Sequence, residues 1–135
     1  MIDPSTGDVV FQDGTRVGRD LTLDAFVWTS PLHKIAKRGE GAAEWTSWRF
    51  EAELAKGGRF FVCLRFKDQP LDRIELVLPW DGAPFVPEPA WKAAHDRYIV
   101  EVLGANAPLK FPWGRVDSIA DDRSGDCIIL VRYGA

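Results

Sequence analysis

The sequence predicts an α+β fold in which one antiparallel sheet packs on two helices. Three observations carry that expectation. From Trp45 to Trp80 apolar and polar residues alternate with period two, as in half-buried strands, and two turns bearing glycine or proline cut the run into three. From Trp91 to Leu103 apolar residues recur at steps of three and four, as on one face of a helix. Residues 113 to 133 then return to two β-prone runs around an acidic turn.

Each element has its own local cause. DVVFQDGTRVG (8 to 18) holds two short β-prone runs around Asp13-Gly14, a dipeptide that tolerates positive φ, and so predicts an N-terminal hairpin. In LTLDAFVWTSP, Thr22 can cap a short helix, Leu23, Phe26 and Val27 share its apolar face, and Pro31 resists continuation. AKRGEGAAE (36 to 44) is polar and glycine-rich and reads as a mobile loop. A three-stranded meander follows. Trp48, Phe50, Ala52 and Leu54 alternate with Arg49, Glu51 and Glu53; beyond Lys56-Gly57-Gly58, Phe60, Val62, Leu64 and Phe66 alternate with Phe61, Cys63, Arg65 and Lys67. Beyond KDQPLD, Ile74, Leu76, Leu78 and Trp80 alternate with Arg73, Glu75 and Val77.

PWDGAPFVPEP (79 to 89) carries four prolines, which bars it from a central strand or a helix interior, so a surface crossing is expected. The second helix presents Trp91, Ala94, His95, Tyr98, Ile99, Val102 and Leu103 on its apolar face, and Gly104 supplies a C-terminal stop. Trp113 to Ile119 and Cys127 to Tyr133 form the C-terminal hairpin. That hairpin echoes the middle one: WRFEAELAKGGRFFVCLRF (48 to 66) laid on GRVDSIADDRSGDCIILVRY (114 to 133) matches Arg49 with Arg115, Glu51 with Asp117, Arg65 with Arg132 and Phe66 with Tyr133. Each copy follows a helix.

The echo decides how Asp121-Asp122-Arg123-Ser124-Gly125-Asp126 is understood. It falls where Lys56-Gly57-Gly58-Arg59 falls, and is therefore a hairpin tip. A calcium loop would need an acidic residue at its first position and a glutamate at its twelfth; here Ala120 and Val131 stand there.

Composition narrows the function classes. A length of 135 residues suits a single domain spanning 1–135, and 46% hydrophobic with 27% charged residues leaves no segment disordered by composition. A net charge of −3 argues against a general nucleic-acid binder. No apolar run approaches the length of a membrane span, and the N-terminal stretch lacks a signal-peptide pattern, so a cytoplasmic protein is expected. Cys63 and Cys127 sit inside apolar strand-like runs and read as reduced, buried thiols. His33 and His95 are the only histidines, and His95 lies by the apolar helix face, where a structural role outweighs a general base. No phosphate-binding glycine loop, nucleophile elbow or metal-ligand cluster is present, so neither an enzyme, a cofactor nor a metal is expected.

Two features look like recognition. Period-two alternation together with the echo puts Arg49, Arg65, Arg73, Arg115 and Arg132 on the sheet face away from the helices, with Glu51, Glu75 and Asp117, over Phe61, Cys63, Val77, Ile128 and Leu130. Solvated cross-strand ion pairs, or cover from the N-terminal hairpin, would explain the same face without a partner. Trp80 and Phe85 stand on the proline-stiffened crossing beside it, where two aromatics can anchor a partner at little entropic cost.

FPWGRVDSIADDRSGDCIILVRY, taken with TLDAFVWTSP, resembles small bacterial proteins of which some look like immunity proteins encoded beside secreted toxins. The succession of helix and strands is also similar in outline to the inhibitor fold that presents a concave sheet to β-lactamases. What these resemblances imply is a protein-binding module that inhibits a toxin or effector, with another protein as partner and neither nucleic acid nor membrane. The alternative is a small-molecule pocket protein or minor enzyme with its site between sheet and helix, containing His95.

Overall fold

The computed structural model describes residues 1–39, 41–79, 88–121 and 126–134. The elements run β1 (Val9–Val10), β2 (Arg16–Val17), α1 (Leu23–Thr29), a 3₁₀ turn (Pro31–Lys34), β3 (Lys37–Gly39), β4 (Trp45–Leu54), β5 (Gly58–Lys67), β6 (Leu71–Val77), α2 (Glu88–Leu103), β7 (Leu109–Phe111), β8 (Gly114–Ala120) and β9 (Cys127–Tyr133). Strands β1 and β2 form a separate hairpin, and the other seven make one antiparallel sheet in the order β3-β4-β5-β6-β9-β8-β7.

Local chemistry sets the element ends. Thr22 caps α1, its hydroxyl accepting from the Ala25 amide at 3.1 Å, while the amides of Leu23 and Asp24 donate to the Gln69 backbone and side chain. The helix is thereby tied to the β5–β6 turn. Ser30 ends it and caps the 3₁₀ turn, where Pro31 takes the first position. The β4–β5 hairpin runs in register from Trp45↔Lys67 to Leu54↔Gly58, and its turn contains Gly57 at φ +94°, where a Cβ would also collide with the Tyr98 ring.

The core lies on one face of the large sheet. Phe60, Val62, Leu64 and Phe66 of β5 are buried there beside Ile74 and Leu76 of β6, Ile129 and Val131 of β9, and Val116 of β8. A bulge between Arg65 and Phe66 pairs Phe66 with Leu71, which keeps Leu71 in the core. Three bodies cover this face. From α1, Phe26 meets Phe66 at 5.9 Å and Trp48 at 5.8 Å. From α2, Tyr98 meets Phe60 at 4.8 Å and donates its hydroxyl to the Lys56 carbonyl at 3.2 Å. The N-terminal hairpin brings Phe11 to Phe50 at 5.9 Å, while its neighbouring carbonyls at Pro4 and Gly7 accept from Trp113 Nε1 (2.9 Å) and the Tyr133 hydroxyl (2.7 Å).

Several expectations change. The hairpin β1–β2 packs on the helix side and does not cover the opposite face. Part of the stretch read as a mobile loop, Lys37–Gly39, is an edge strand on β4, and Leu109–Phe111 makes the other edge on β8. Three residues are too few to show a period. Helix α2 begins at Glu88, so Pro89 lies in its first turn, where the missing N–H removes no intrahelical bond. Trp80, Phe85 and the rest of 80–87 lie outside the described residues, as do 122–125. The acidic stretch does connect hairpin strands, with Ala120 opposite Cys127 and the Asp121 amide donating to the Asp126 carbonyl at 2.8 Å.

Candidate functional site: the open face of the sheet

Residues directly opposite one another in an antiparallel sheet share a face, so the registers define rows that cross the strands. One row reads Lys37, Arg49, Cys63, Glu75, Leu130 and Asp117. The next reads Gly39, Ser47, Arg65, Arg73, Arg132, Arg115 and Lys110, so five neighbouring strands, β5-β6-β9-β8-β7, each place one cation in line. Glu51, Phe61 and Val77 are mutually opposite, as are Ile119 and Ile128. The five arginines, three carboxylates and apolar residues assigned to this face by alternation all lie on it.

Carboxylates partly neutralise and orient the cations. Arg65 Nε donates to Glu75 at 2.6 Å, which holds the guanidinium pKa above its ordinary value, and Arg73 Nε donates to Asp72 at 2.6 Å. Arg115 Nε lies 3.2 Å from Asp117, and Arg59 Nε 2.7 Å from Glu51. In each pair the closest contact is made through Nε. Arg132 has no ion-pair partner among the described residues.

The floor between these charges is uneven. Leu130 is buried, Val77 and Ile128 are half-buried, and Phe61 is 47% exposed. A hollow of about 790 Å³ opens between β3 and β9, lined among others by Lys37, Arg49, Phe61, Cys63, Val77 and Ile128. The half-buried Cys63 thiol is pushed above its ordinary pKa by burial and then by Glu75, so it remains a neutral thiol at pH 7. A smaller hollow of about 260 Å³ lies by Asp72, Arg115, Arg132 and Tyr133.

Trp45, a strand-end tryptophan not counted among the candidate binding residues from sequence, also belongs to this face. It is opposite Lys67, and its ring lies 5.8 Å from Lys67 Nζ and 5.4 Å from Arg73 Cζ, a double cation–π contact. Its place at the head of β4 was visible, but which cations reach it depends on register.

The interior site fares differently. His95 is completely buried under α2; its Nε2 accepts from the Leu78 amide at 3.0 Å, and Trp91 Nε1 donates to the Leu78 carbonyl at 3.0 Å. Two side chains one turn apart thus satisfy both backbone groups at the end of β6, clamping the helix there. Burial lowers the His95 pKa to about 4, so the imidazole is neutral at pH 7. No ligand reaches His95 unless the helix opens.

Among the described residues no three His, Cys, Asp or Glu side chains converge on a metal-sized site, and no helix is long and apolar enough to cross a membrane. Neither a protein family, nor a curated protein, nor a solved structure matches this chain.

Proposed function

We propose that the chain is a protein-binding module that receives an acidic partner on the open face of its sheet, its most concrete form being an immunity-type inhibitor of a bacterial toxin or effector in the cytoplasm. The observation that carries this is the row Arg65, Arg73, Arg132, Arg115 and Lys110, aligned across five neighbouring strands of a chain whose net charge is −3. Charge is therefore segregated, and a cationic stripe steers an acidic surface toward one face. Carboxylates already orient three of these guanidinium groups, which lowers the entropy lost on docking, and Phe61 offers an exposed aromatic beside them.

The test is titration against the product of the adjacent gene. Arg65→Ala and Arg132→Ala should each weaken association by about 2 kcal/mol, and binding should fall as salt rises. Unchanged affinity in both variants, with circular dichroism showing an intact fold, removes this surface from consideration.

A further inference from the structure

Lys37 and Arg49 stand directly opposite each other on β3 and β4, a like-charge arrangement that antiparallel pairs disfavour. Elsewhere on the face such clashes are relieved. In every adjacent pair of the basic row at least one member has a carboxylate beside it: Glu75 on Arg65, Asp72 on Arg73, Asp117 on Arg115. Neither Lys37 nor Arg49 meets a carboxylate among the described residues. The nearby acids are engaged, Glu51 by Arg59 at 2.7 Å and Glu75 by Arg65 at 2.6 Å. Among the described residues the two cations thus face each other with no carboxylate between them, at one end of the large hollow. From there to β9 the lining is mainly apolar, with Phe61, Val77 and Ile128 around a neutral thiol, beside the ion-paired Glu51, Glu75 and Arg65, and Asp126 lines the hollow at the β9 end.

We propose that this hollow binds an anionic amphiphile, a carboxylate on an unbranched apolar chain, with its head between Lys37 and Arg49 and its chain laid across the strands toward Ile128. A carboxylate there would accept charge-assisted hydrogen bonds from a guanidinium fork and an ammonium together, relieving their repulsion. The dimensions agree. From β3 to β9 the hollow crosses four interstrand steps, roughly 19 Å, and its volume of about 790 Å³ falls within the range of roughly 300–1,000 Å³ usual for small-molecule sites. This site does not rest on the protein-partner reading: the two share Phe61 and Arg65, but the head group is held by Lys37 and Arg49, which lie outside the row of Arg65 to Lys110.

The experiment is calorimetric titration of the full chain with decanoate, and with decanol and decyltrimethylammonium as probes of equal chain length. Decanoate should saturate one site and bind at least about tenfold more tightly than either control probe. Lys37→Ala combined with Arg49→Ala should weaken decanoate about tenfold or more while leaving decanol unchanged. Phe61→Ala should weaken decanoate and decanol alike, and Lys92→Ala, whose ammonium pairs with Asp96 on α2 and does not line the hollow, should alter neither. Absence of saturable decanoate binding, equal binding of decanol, or equal loss in Lys92→Ala overturns the proposal. None of these results touches titration of a protein partner with the Arg65 and Arg132 variants, so the two readings fail separately.

Discussion

The two faces of the seven-stranded sheet are made from alternate residues of the same strands, and they could hardly differ more. On β5, Phe60, Val62, Leu64 and Phe66 are buried beneath helices and hairpin, while Phe61, Cys63 and Arg65 between them look the other way. One face is closed by three covering bodies; the other carries aligned cations over an apolar floor. The lesson is one of parity: a change of one position along a strand moves a side chain from the covered core to the open face. Stability and binding should therefore separate cleanly in paired substitutions.

The sharpest way to break that comparison is at Leu64 and Arg65. Leu64→Ala should cost about 2 to 5 kcal/mol in urea denaturation, whereas Arg65→Ala should cost less than about 1 kcal/mol, losing only a part-exposed ion pair. Equal losses would mean the faces are misassigned.

Beneath α2, the core face should respond to pH through His95. Unfolded, this imidazole has its ordinary pKa of 6.5; folded, burial lowers it to about 4. Between those values the unfolded chain binds the extra proton, so stability is full above pH 6.5 and is lost as pH falls toward 4, by about 2 to 3 kcal/mol. Denaturation midpoints measured across that window, against those of His95→Gln, would isolate the contribution; parallel curves would refute it.

Smaller effects sharpen the same contrast. Tyr98→Phe removes one hydrogen bond, to the Lys56 carbonyl, from the covered side and should cost about 1 kcal/mol by thermal denaturation. In the connection from β8 to β9, Asp121→Asn with Asp122→Asn should leave the melting temperature nearly unchanged, with or without millimolar calcium. A calcium-dependent rise in the unsubstituted protein alone would contradict the turn assignment.

Much of this was legible in the sequence, because parity is local. Alternation together with the echo of the two hairpins put Arg49, Arg65, Arg73, Arg115 and Arg132 on one face, and the structure keeps them there. Their alignment into a row was not legible. It depends on the bulge at Arg65/Phe66, on the length of the 121–126 connection, and on β9 entering between β6 and β8, none of which a hydrophobic pattern encodes. The Lys37–Arg49 pair was hidden for a related reason, since Lys37 sits in a three-residue strand formed only by pairing with β4. His95 was recognised as structural, but its clamp on Leu78 is a contact between distant segments and leaves no local mark.

The place of β9 bears on how the chain is made. It joins the β3–β6 part of the sheet to β7–β8, yet it is the last of these strands to be synthesised. While a ribosome extends the chain past Val77, the free edge of β6 waits about fifty residues for its neighbour, and the closing contacts are among the most distant in sequence. Such topologies fold slowly, and an exposed edge is open to pairing with other chains. Folding should therefore be limited by the arrival and insertion of one strand, and aggregation during synthesis should be most sensitive to substitutions along Leu71–Val77.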